Sequence, residues 1–294
     1  MIKARSKISA PLTVPFATLC LCTVISAHTA SSAAEENGGT EKPLWEFGLG
    51  VGGVSFPAYR GSSSQRNMLL PAPYLIYRGD FLKADRDGIR GVFFDSDRIN
   101  LTVSTSASIP VDSDDIKVRE NMPDLKPTLE IGPSLDITLW RSDDRHRQLD
   151  LRLPARYAFT AEAQPQSVGW QFTPRLNLDL IDPHMAHGWN IGLLAGPVFG
   201  SKQQHAYFYS VQDRYATATR SAYDAPGGYA GWQVLAAISK RFPTYWIGGF
   251  VRYDSLNGAV FNDSPLVDSQ HYVAAGIAVA WIIAESSTRV PTNE

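Results

Sequence analysis

The chain has 294 residues, a formal net charge of −2 and 44% hydrophobic residues. It is therefore long enough to bury a large core and lacks the positive excess of a nucleic-acid-binding protein, so we expect no nucleic-acid partner. Its two cysteines, Cys20 and Cys22, lie close together near the start of the chain. Two such cysteines exclude a fold held together by several disulfides.

The first segment has the organisation of a secretory signal peptide. Basic residues at positions 3, 5 and 7 precede an apolar stretch from Pro11 to Ala27, and small residues continue to Ala34. This order is typical of exported proteins. We predict a signal peptide over residues 1–34, with cleavage between 27 and 34, and its removal shifts the net charge from −2 to −5.

The remaining chain alternates between apolar and polar residues in long runs. In the first of these, Ile99, Leu101 and Val103 alternate with asparagine and threonine, and similar runs cover 129–139, 149–160, 168–180 and 271–283. Successive side chains of a strand point to opposite faces, so one face can meet lipid while the other faces a polar lumen. Each run exceeds the roughly 9–11 residues with which a tilted strand crosses a bilayer. The longest apolar run, Tyr272 to Ala284, is too short for a spanning helix of about 20 residues.

A water-soluble β-sandwich would show the same alternation. Two features favour a membrane barrel instead. The runs are longer than the usual 5–6 residues or so of soluble strands, and aromatic residues near their ends predict interfacial girdles. These aromatic residues are Trp45, Tyr157, Phe159, Trp170, Trp189, Phe199, Trp232, Tyr253 and Trp281. We predict an all-β fold, a transmembrane antiparallel up-and-down β-barrel surrounded by lipids in the outer membrane of a Gram-negative bacterium.

The lengths of the connections predict the number of strands and the sidedness. We place the barrel at 44–283, between a periplasmic N-terminal segment at 35–43 and a polar C-terminal tail at 284–294. Long loops belong outside the cell and short turns in the periplasm. The rule is satisfied by about twelve strands, with ten as the alternative if 80–95 does not span. The predicted strands are 44–56, 67–78, 80–87, 89–95, 98–109, 127–140, 147–160, 168–181, 188–200, 229–241, 245–255 and 269–283.

Several short motifs are similar to those of a known family. They are PAYRGS at 57–62, PAPY at 71–74, YRG at 77–79, ADRDG at 84–88, FDSD at 94–97, PVDSDD at 110–115, MPDL at 122–125 and PTLEIGP at 127–133. Together they resemble the MipA/OmpV family of outer-membrane proteins, from about Trp45 to Ile283. The resemblance implies a non-enzymatic scaffold that holds a lytic murein transglycosylase together with a bifunctional murein synthase. The polar tail departs from the aromatic end that outer-membrane barrels usually have.

Three groups of residues are candidates for catalysis or metal binding. Ser269 and His271 share a strand face beside Asp268, as a hydrolase at the barrel rim would require, but ordinary rim residues explain them as well. His184 and His187 have the spacing of two metal ligands, yet solvated turn histidines account for them. The acidic stretch 112–115 (Asp112, Ser113, Asp114, Asp115) lacks the glycine and distal glutamate of an EF-hand loop. We predict no catalytic residue, cofactor or bound metal.

Two further groups leave alternatives open. A set of charged residues on the polar strand faces either lines a small pore or pairs across the lumen and fills it, and we favour filling. The set comprises Glu130, Asp136, Arg152, Arg156, Arg175, Asp179 and Arg252. The aromatic residues of loop 201–228 either bind a ligand at the surface or fold inward as a plug. They are Tyr207, Phe208, Tyr209, Tyr215 and Tyr223. The scaffold, a small-solute channel and a rim-active hydrolase are therefore the candidate functions.

Overall fold

The computed structural model describes residues 40–79, 82–85, 88–144, 146–181 and 188–292, so the predicted signal peptide lies outside the described residues. These residues form fifteen strands, an eight-residue helix α1 (Lys202–Tyr209) and short 3-10 turns at Lys117–Arg119 and Asp213–Tyr215. The strands are β1 (Thr40–Pro43), β2 (Trp45–Pro57), β3 (Gln65–Arg78), β4 (Leu82–Asp85), β5 (Gly88–Asp95), β6 (Ile99–Ala107), β7 (Thr128–Arg141), β8 (Arg147–Thr160), β9 (Ser167–Phe172), β10 (Arg175–Ile181), β11 (Asn190–Gly200), β12 (Gly228–Arg241), β13 (Tyr245–Ser255), β14 (His271–Glu285) and β15 (Arg289–Thr292). Within the described ranges, no helix is long and apolar enough to cross a membrane.

Strands β2 to β14 form one antiparallel sheet that closes on itself. Apart from β9 and β10, each strand pairs with its neighbour in the chain, and β14 pairs back to β2 with Val279 opposite Val51. Strands β9 and β10 are two parts of one spanning strand, since both lie between β8 and β11. The described strands therefore occupy twelve positions around a barrel, which confirms the predicted up-and-down fold. The segment 80–95 contributes β4 and β5, which gives the predicted twelve strands rather than ten, with β4 only four residues long.

The break between β9 and β10 was not predicted, and proline explains it. Pro174 has no N–H group to donate to the ladder. The preceding residue, Thr173, instead donates its N–H to the Pro154 carbonyl over 3.2 Å. The neighbouring strand β11 is also irregular at this level, since its register with β12 shifts between Pro197 and Phe199.

The two faces of the wall differ as a membrane barrel requires. Along β14, Val273, Ile277 and Trp281 are 50%, 63% and 53% exposed. Between them, Ala274 and Ala280 are each 2% exposed. Large apolar side chains thus point away from the protein and small ones point into the lumen. This reversal of the soluble pattern fits a barrel whose outer face meets lipid.

The main apolar core lies at one end of the barrel, among four long loops. These are 58–64, 108–127, 201–227 and 256–270, which we call the cap. The core residues are Tyr59, Val111, Ile116, Leu125, Val198, Tyr209, Ala225, Ala230, Leu256, Ala259 and Phe261. Val198 and Ala230 belong to strands β11 and β12, so the cap packs onto the end of the wall. Because long loops of outer-membrane barrels lie outside the cell, we assign the cap to the extracellular mouth and the opposite end to the periplasm.

The segments that flank the barrel pair with each other at the opposite end. β1 and β15 form a two-stranded antiparallel sheet with Lys42 opposite Val290. The Leu44 N–H donates to the Thr288 carbonyl over 2.9 Å, which continues the ladder beyond the barrel. From the sequence alone, 35–43 and 284–294 are predicted to be separate terminal segments, because periodicity does not reveal which distant segments pair.

Candidate functional site: a capped lumen

The predicted lumen charges make close polar contacts with one another or with neighbouring polar groups. Arg156 donates to Glu130 over 3.0 Å and to the Ser104 hydroxyl over 3.1 Å. The Arg152 guanidinium lies 3.9 Å from both Asp150 and Asp179. The contacts of Arg156 with Glu130 and of Arg152 with Asp179 join neighbouring strands of the wall, as charges that pair across a small barrel would.

Three of the remaining predicted residues, Asp136, Asp179 and Arg252, also make close polar contacts. Asp136 accepts a 2.7 Å hydrogen bond from Ser134, and Asp179 accepts one of 2.7 Å from Asn177. Arg175 lies opposite Arg152 in the register of β10 with β8. Arg252 donates to Asp254 over 2.8 Å. Positive and negative groups are therefore interspersed along these strands, without a single-sign ring of the kind that selects ions.

A buried carboxylate at the periplasmic end joins three strands. Glu46 on β2 is 2% exposed. It accepts hydrogen bonds of 2.8 Å from both Arg78 on β3 and Arg241 on β12. Tyr74 adds a longer contact of 3.3 Å. Charge-assisted bonds of this kind are stronger than neutral ones, so the triad holds the wall together at this mouth.

At the extracellular end, the first cap loop reaches into the lumen through Arg60. Its Nε atom lies 3.2 Å from the Asp254 carboxylate and 3.1 Å from the Tyr272 hydroxyl. The Asp254 side chain is fully buried and also accepts the bond from Arg252. One carboxylate thus lies between two guanidinium groups, one from the cap and one from the wall. The contact fixes the loop against strands β13 and β14.

Two buried arginines join the second and third cap loops through backbone carbonyls. Arg119 is 3% exposed and donates to the carbonyls of Phe208 and Pro123 over 3.0 and 3.2 Å. Arg220 donates to the carbonyls of Val118 and Glu120, each over 3.0 Å. A guanidinium offers five donors in a fixed geometry, so one side chain can satisfy several loop carbonyls. The cap is therefore hydrogen-bonded as well as apolar.

The aromatic residues of loop 201–228 lie within this packed cap. Tyr209 is 4% exposed and donates from its hydroxyl to the Arg60 carbonyl over 2.8 Å. The Tyr207 hydroxyl accepts from the Lys126 N–H over 2.8 Å, and the Phe208 ring packs against the cap core. Tyr215 and Tyr223 pack against a smaller cluster of Met122, Val211 and Leu266. Burial raises the pKa of Tyr59 and of Tyr209, so both phenols stay protonated.

Helix α1 docks closely because glycines surround its start. Its first turn is capped by Ser201, whose hydroxyl accepts from the Gln204 N–H over 3.2 Å. A β-carbon on Gly200 would lie 2.4 Å from the His205 ring, and one on Gly227 would lie 2.4 Å from the Lys202 nitrogen. His205 is fully buried, and its Nδ1 lies 2.6 Å from the Pro226 carbonyl. Burial lowers the pKa of His205, and the nearby Arg60 lowers it further.

The rim residues do not assemble a nucleophile and a base. The Ser269 hydroxyl donates to the His271 backbone carbonyl over 2.6 Å instead of to the imidazole. Asp268 accepts from the backbone and the hydroxyl of Ser63, both over 2.6 Å. The His271 Nδ1 atom lies 2.8 Å from the Tyr253 hydroxyl. A hydrolase needs its base in hydrogen-bond reach of the nucleophile, and this arrangement lacks that contact.

The acidic residues of the second cap loop accept hydrogen bonds from backbone N–H groups of the same loop. Asp112 accepts from the Asp114 N–H over 3.0 Å, and Asp114 accepts from the Asn121 N–H over 3.0 Å. Asn121 has a positive φ of 61°, which such a tight turn requires. Among the described residues, no three histidine, cysteine or acidic side chains come together as a metal site. His184 and His187 lie outside the described residues.

Sequence reasoning did not single out Arg60, His205 or the contacts of Glu46. Arg60 lies in the motif PAYRGS, and its place in this family-like motif is the sequence feature that could have identified it as a functional residue. Its partner, Asp254, is 194 residues away. No periodicity connects two positions so far apart.

Comparisons with known proteins identify a family and two relatives in the outer membrane. The family model described as MltA-interacting protein MipA matches residues 49–283. The outer membrane protein Omp26La of Vibrio anguillarum and the outer membrane protein OmpV of Vibrio cholerae are each 26% identical over 212 residues, which cover 70% of this chain and 75% of the relative.

Similar solved structures include a bacterial polysaccharide outer membrane secretin, with a TM-score of 0.40 and 8% identity over 82% of this chain and 99% of that chain. They also include the outer membrane phospholipase A from Escherichia coli, with a TM-score of 0.33 and 11% identity over 82% of this chain and 94% of that one. The matched relatives place the chain in the outer membrane. The match to the family model covers most of the barrel, and the chain belongs to the MipA family.

Proposed function

We propose that this protein is a non-enzymatic scaffold of the cell envelope, anchored by its barrel and docking cell-wall enzymes on its periplasmic side. The observation that carries the proposal is the packed cap over the extracellular mouth. Arg60, Arg119 and Arg220 hold the cap to the wall and hold its loops to one another. A barrel closed in this way anchors a protein without offering an open route for solutes.

The periplasmic end supplies the docking surface. The sheet of β1 and β15 extends the β2–β14 ladder past the membrane. Sheet edges outside a barrel are ready templates for pairing with another chain. The family description, MltA-interacting protein, names one partner, MltA, which the resemblance identifies as a lytic murein transglycosylase. A bifunctional murein synthase held by the same scaffold is the second partner of the proposal.

Affinity capture from cross-linked cells tests the proposal. We expect a lytic transglycosylase to co-purify with the full chain and to be lost when the chain is truncated before Arg289. As a matched control, the double change Lys202→Ala and Asp224→Ala removes an exposed ion pair of 2.6 Å in the cap and should leave capture unchanged. Capture that is absent from the full chain, or equal in the truncated chain, would contradict the scaffold.

Two functional assays separate the rival functions. The pure protein should give no conductance steps in planar bilayers, whereas a channel would conduct, with currents altered by Arg152→Glu. It should also release no fatty acid from phospholipid vesicles. Release that disappears in Ser269→Ala would establish the hydrolase instead.

A further inference from the structure

We propose that a depression on the outer rim of the barrel binds the sugar head group of an outer-leaflet glycolipid. The depression has a volume of ≈ 350 Å³ and lies where loop 58–64 meets the starts of β3 and β14 and the end of β13. It is lined chiefly by Ser63, Gln65, Tyr253, Ser269, His271 and Val273. Ligand sites usually have about 300–1,000 Å³, so this volume suits a small head group and not a whole lipid.

The height of the depression places it at the outer head-group layer. Along β14, ten residues separate His271 from Trp281, and both side chains belong to the lipid-facing set. At about 3.3 Å per residue and a tilt of about 40°, that distance corresponds to roughly 25 Å of height. An apolar band of about 25 Å is what an outer-membrane barrel presents to lipid. His271 therefore lies at the outer edge of the band and Trp281 at the inner edge.

The floor of the depression is a flat platform of two rings. The planes of Tyr253 and His271 differ by only 9°, with centroids 6.0 Å apart. The 2.8 Å contact between the Tyr253 hydroxyl and Nδ1 locks the rings side by side. Tyr253 is 43% exposed, so the platform faces outward. Aromatic rings with a polar edge suit a membrane interface, where one side of a ligand is apolar and the other is hydrated.

The groups around the platform are neutral hydrogen-bonding side chains. The Gln65 side chain is exposed and bonds to no other described residue, so its amide can both donate and accept. Ser269 donates its proton to the His271 carbonyl and keeps its lone pairs for a ligand. The Nδ1 atom of His271 is already engaged, which leaves Nε2 for the ligand.

The chemistry of the lining favours a sugar over a phosphate. No lysine or arginine is among the described residues that line the depression, so a phosphate would find no fixed cation. A sugar ring, in contrast, offers hydroxyls to Gln65 and Ser269 and an apolar face to the Tyr253–His271 platform. Val273 lies below the platform on the same face and would meet the first methylenes of the lipid. Because the depression lies at the outer edge of the membrane, the sugar that it binds is one linked to a lipid.

Equilibrium binding to the purified full chain in detergent micelles tests this site. The probes are lipid A carrying two inner-core sugars, dipalmitoyl phosphatidylglycerol, and the acyl-free inner-core sugars. We expect saturable binding of the glycolipid, which Tyr253→Ala and Gln65→Ala each weaken by about fivefold. Trp170→Ala is the matched control, because Trp170 is an exposed aromatic residue at the same rim on β9, and it should leave binding unchanged.

The outcomes that overturn the proposal are distinct. Equal loss in Trp170→Ala and Tyr253→Ala would mean that rim aromatic residues act only as a nonspecific belt. Phosphatidylglycerol that binds as tightly as the glycolipid would exclude sugar recognition, and acyl-free sugars that bind equally well would exclude the membrane source. If Tyr253→Ala does not fold, Tyr253→Phe keeps the ring and loses only the bond to His271, and unchanged binding in both this variant and Gln65→Ala would also overturn the site.

Discussion

The ring of Tyr209 stacks on the ring of Phe261, with centroids 3.7 Å apart and planes 9° apart. Tyr209 ends helix α1 in the third cap loop, whereas Phe261 belongs to the fourth. The Ser264 hydroxyl also donates to the Tyr209 carbonyl over 2.6 Å. The third cap loop connects β11 to β12 and the fourth connects β13 to β14, and the two are thus packed as one unit. Loosening either loop should expose the other.

Removing the Phe261 ring should therefore open the cap while the barrel persists. Phe261 is fully buried, and truncating such a ring to alanine costs about 3–5 kcal/mol. The predicted mature chain has no cysteine, so Ala225→Cys, at a fully buried position, reports opening through its reaction with an impermeant maleimide. We expect fast labelling with Phe261→Ala and slow labelling with Val260→Ala, since Val260 is 38% exposed. Equal rates in the two variants would contradict a cooperative cap.

Acid should loosen the same cap through His205. Burial disfavours a charged imidazole more than the Pro226 carbonyl favours it, the nearby Arg60 adds repulsion, and Asp254 is already bonded to Arg60 and Arg252. The folded protein holds the pKa of His205 below its ordinary value of about 6.5. The opened cap then binds the proton more readily, so cap stability is full above about pH 6.5 and falls as the pH drops below it.

Labelling of Ala225→Cys at pH 7.5 and pH 5.5 measures this effect. The rate should be normalised to that of Ala218→Cys, at an exposed position of the same loop, which removes the pH dependence of the thiol itself. We expect acid to increase the normalised rate, and His205→Asn to abolish the increase because it cannot take the proton. An increase that survives in His205→Asn would assign the acid response to another group.

Sequence periodicity could predict the strands of the barrel wall, because the face on which a side chain lies depends only on its position along its own strand. Val273, Ile277 and Trp281 are spaced four residues apart, and the pleat of a strand alone puts them on one face. The cap is different, since each of its contacts joins positions far apart in the chain. Arg60 and Asp254 illustrate this, because nothing in either neighbourhood indicates that one neutralises the other. For the same reason, the aromatic residues of loop 201–228 were recognised while their burial was left open.

The Glu46 triad should contribute more to stability than an exposed ion pair does. Glu46→Gln leaves Arg78 and Arg241 facing each other without their shared carboxylate, and breaking a buried pair typically costs about 3–5 kcal/mol. Both guanidinium groups keep some exposure, at 15% and 22%, so we expect the lower end of that range. Urea unfolding in micelles measures the change. The control is Glu285→Gln, which removes an exposed pair with Arg289 and should cost about 0–1 kcal/mol.

Charge placed on the two faces of the wall should have opposite consequences. Ile277 is 63% exposed on the lipid-facing side, six residues from His271 and four from Trp281, hence near the middle of the membrane. Ile277→Arg should cost about 2–4 kcal/mol, because an arginine at the midplane must leave water. Ser106 lies opposite Glu130 in the β6–β7 register, on the lumen side, where Ser106→Arg would gain a carboxylate neighbour.

Folding into liposomes, followed by urea titration, measures both variants. We expect Ile277→Arg to lower the unfolding midpoint and Ser106→Arg to fold with a midpoint close to that of the wild type. Ile277→Ala serves as the control for lost side-chain volume, and it should fall between the two, since it removes lipid contact without adding charge. If Ile277→Arg folds normally while Ser106→Arg does not, the charged face of the wall is the outer one, and a barrel surrounded by lipid is the wrong setting for this fold.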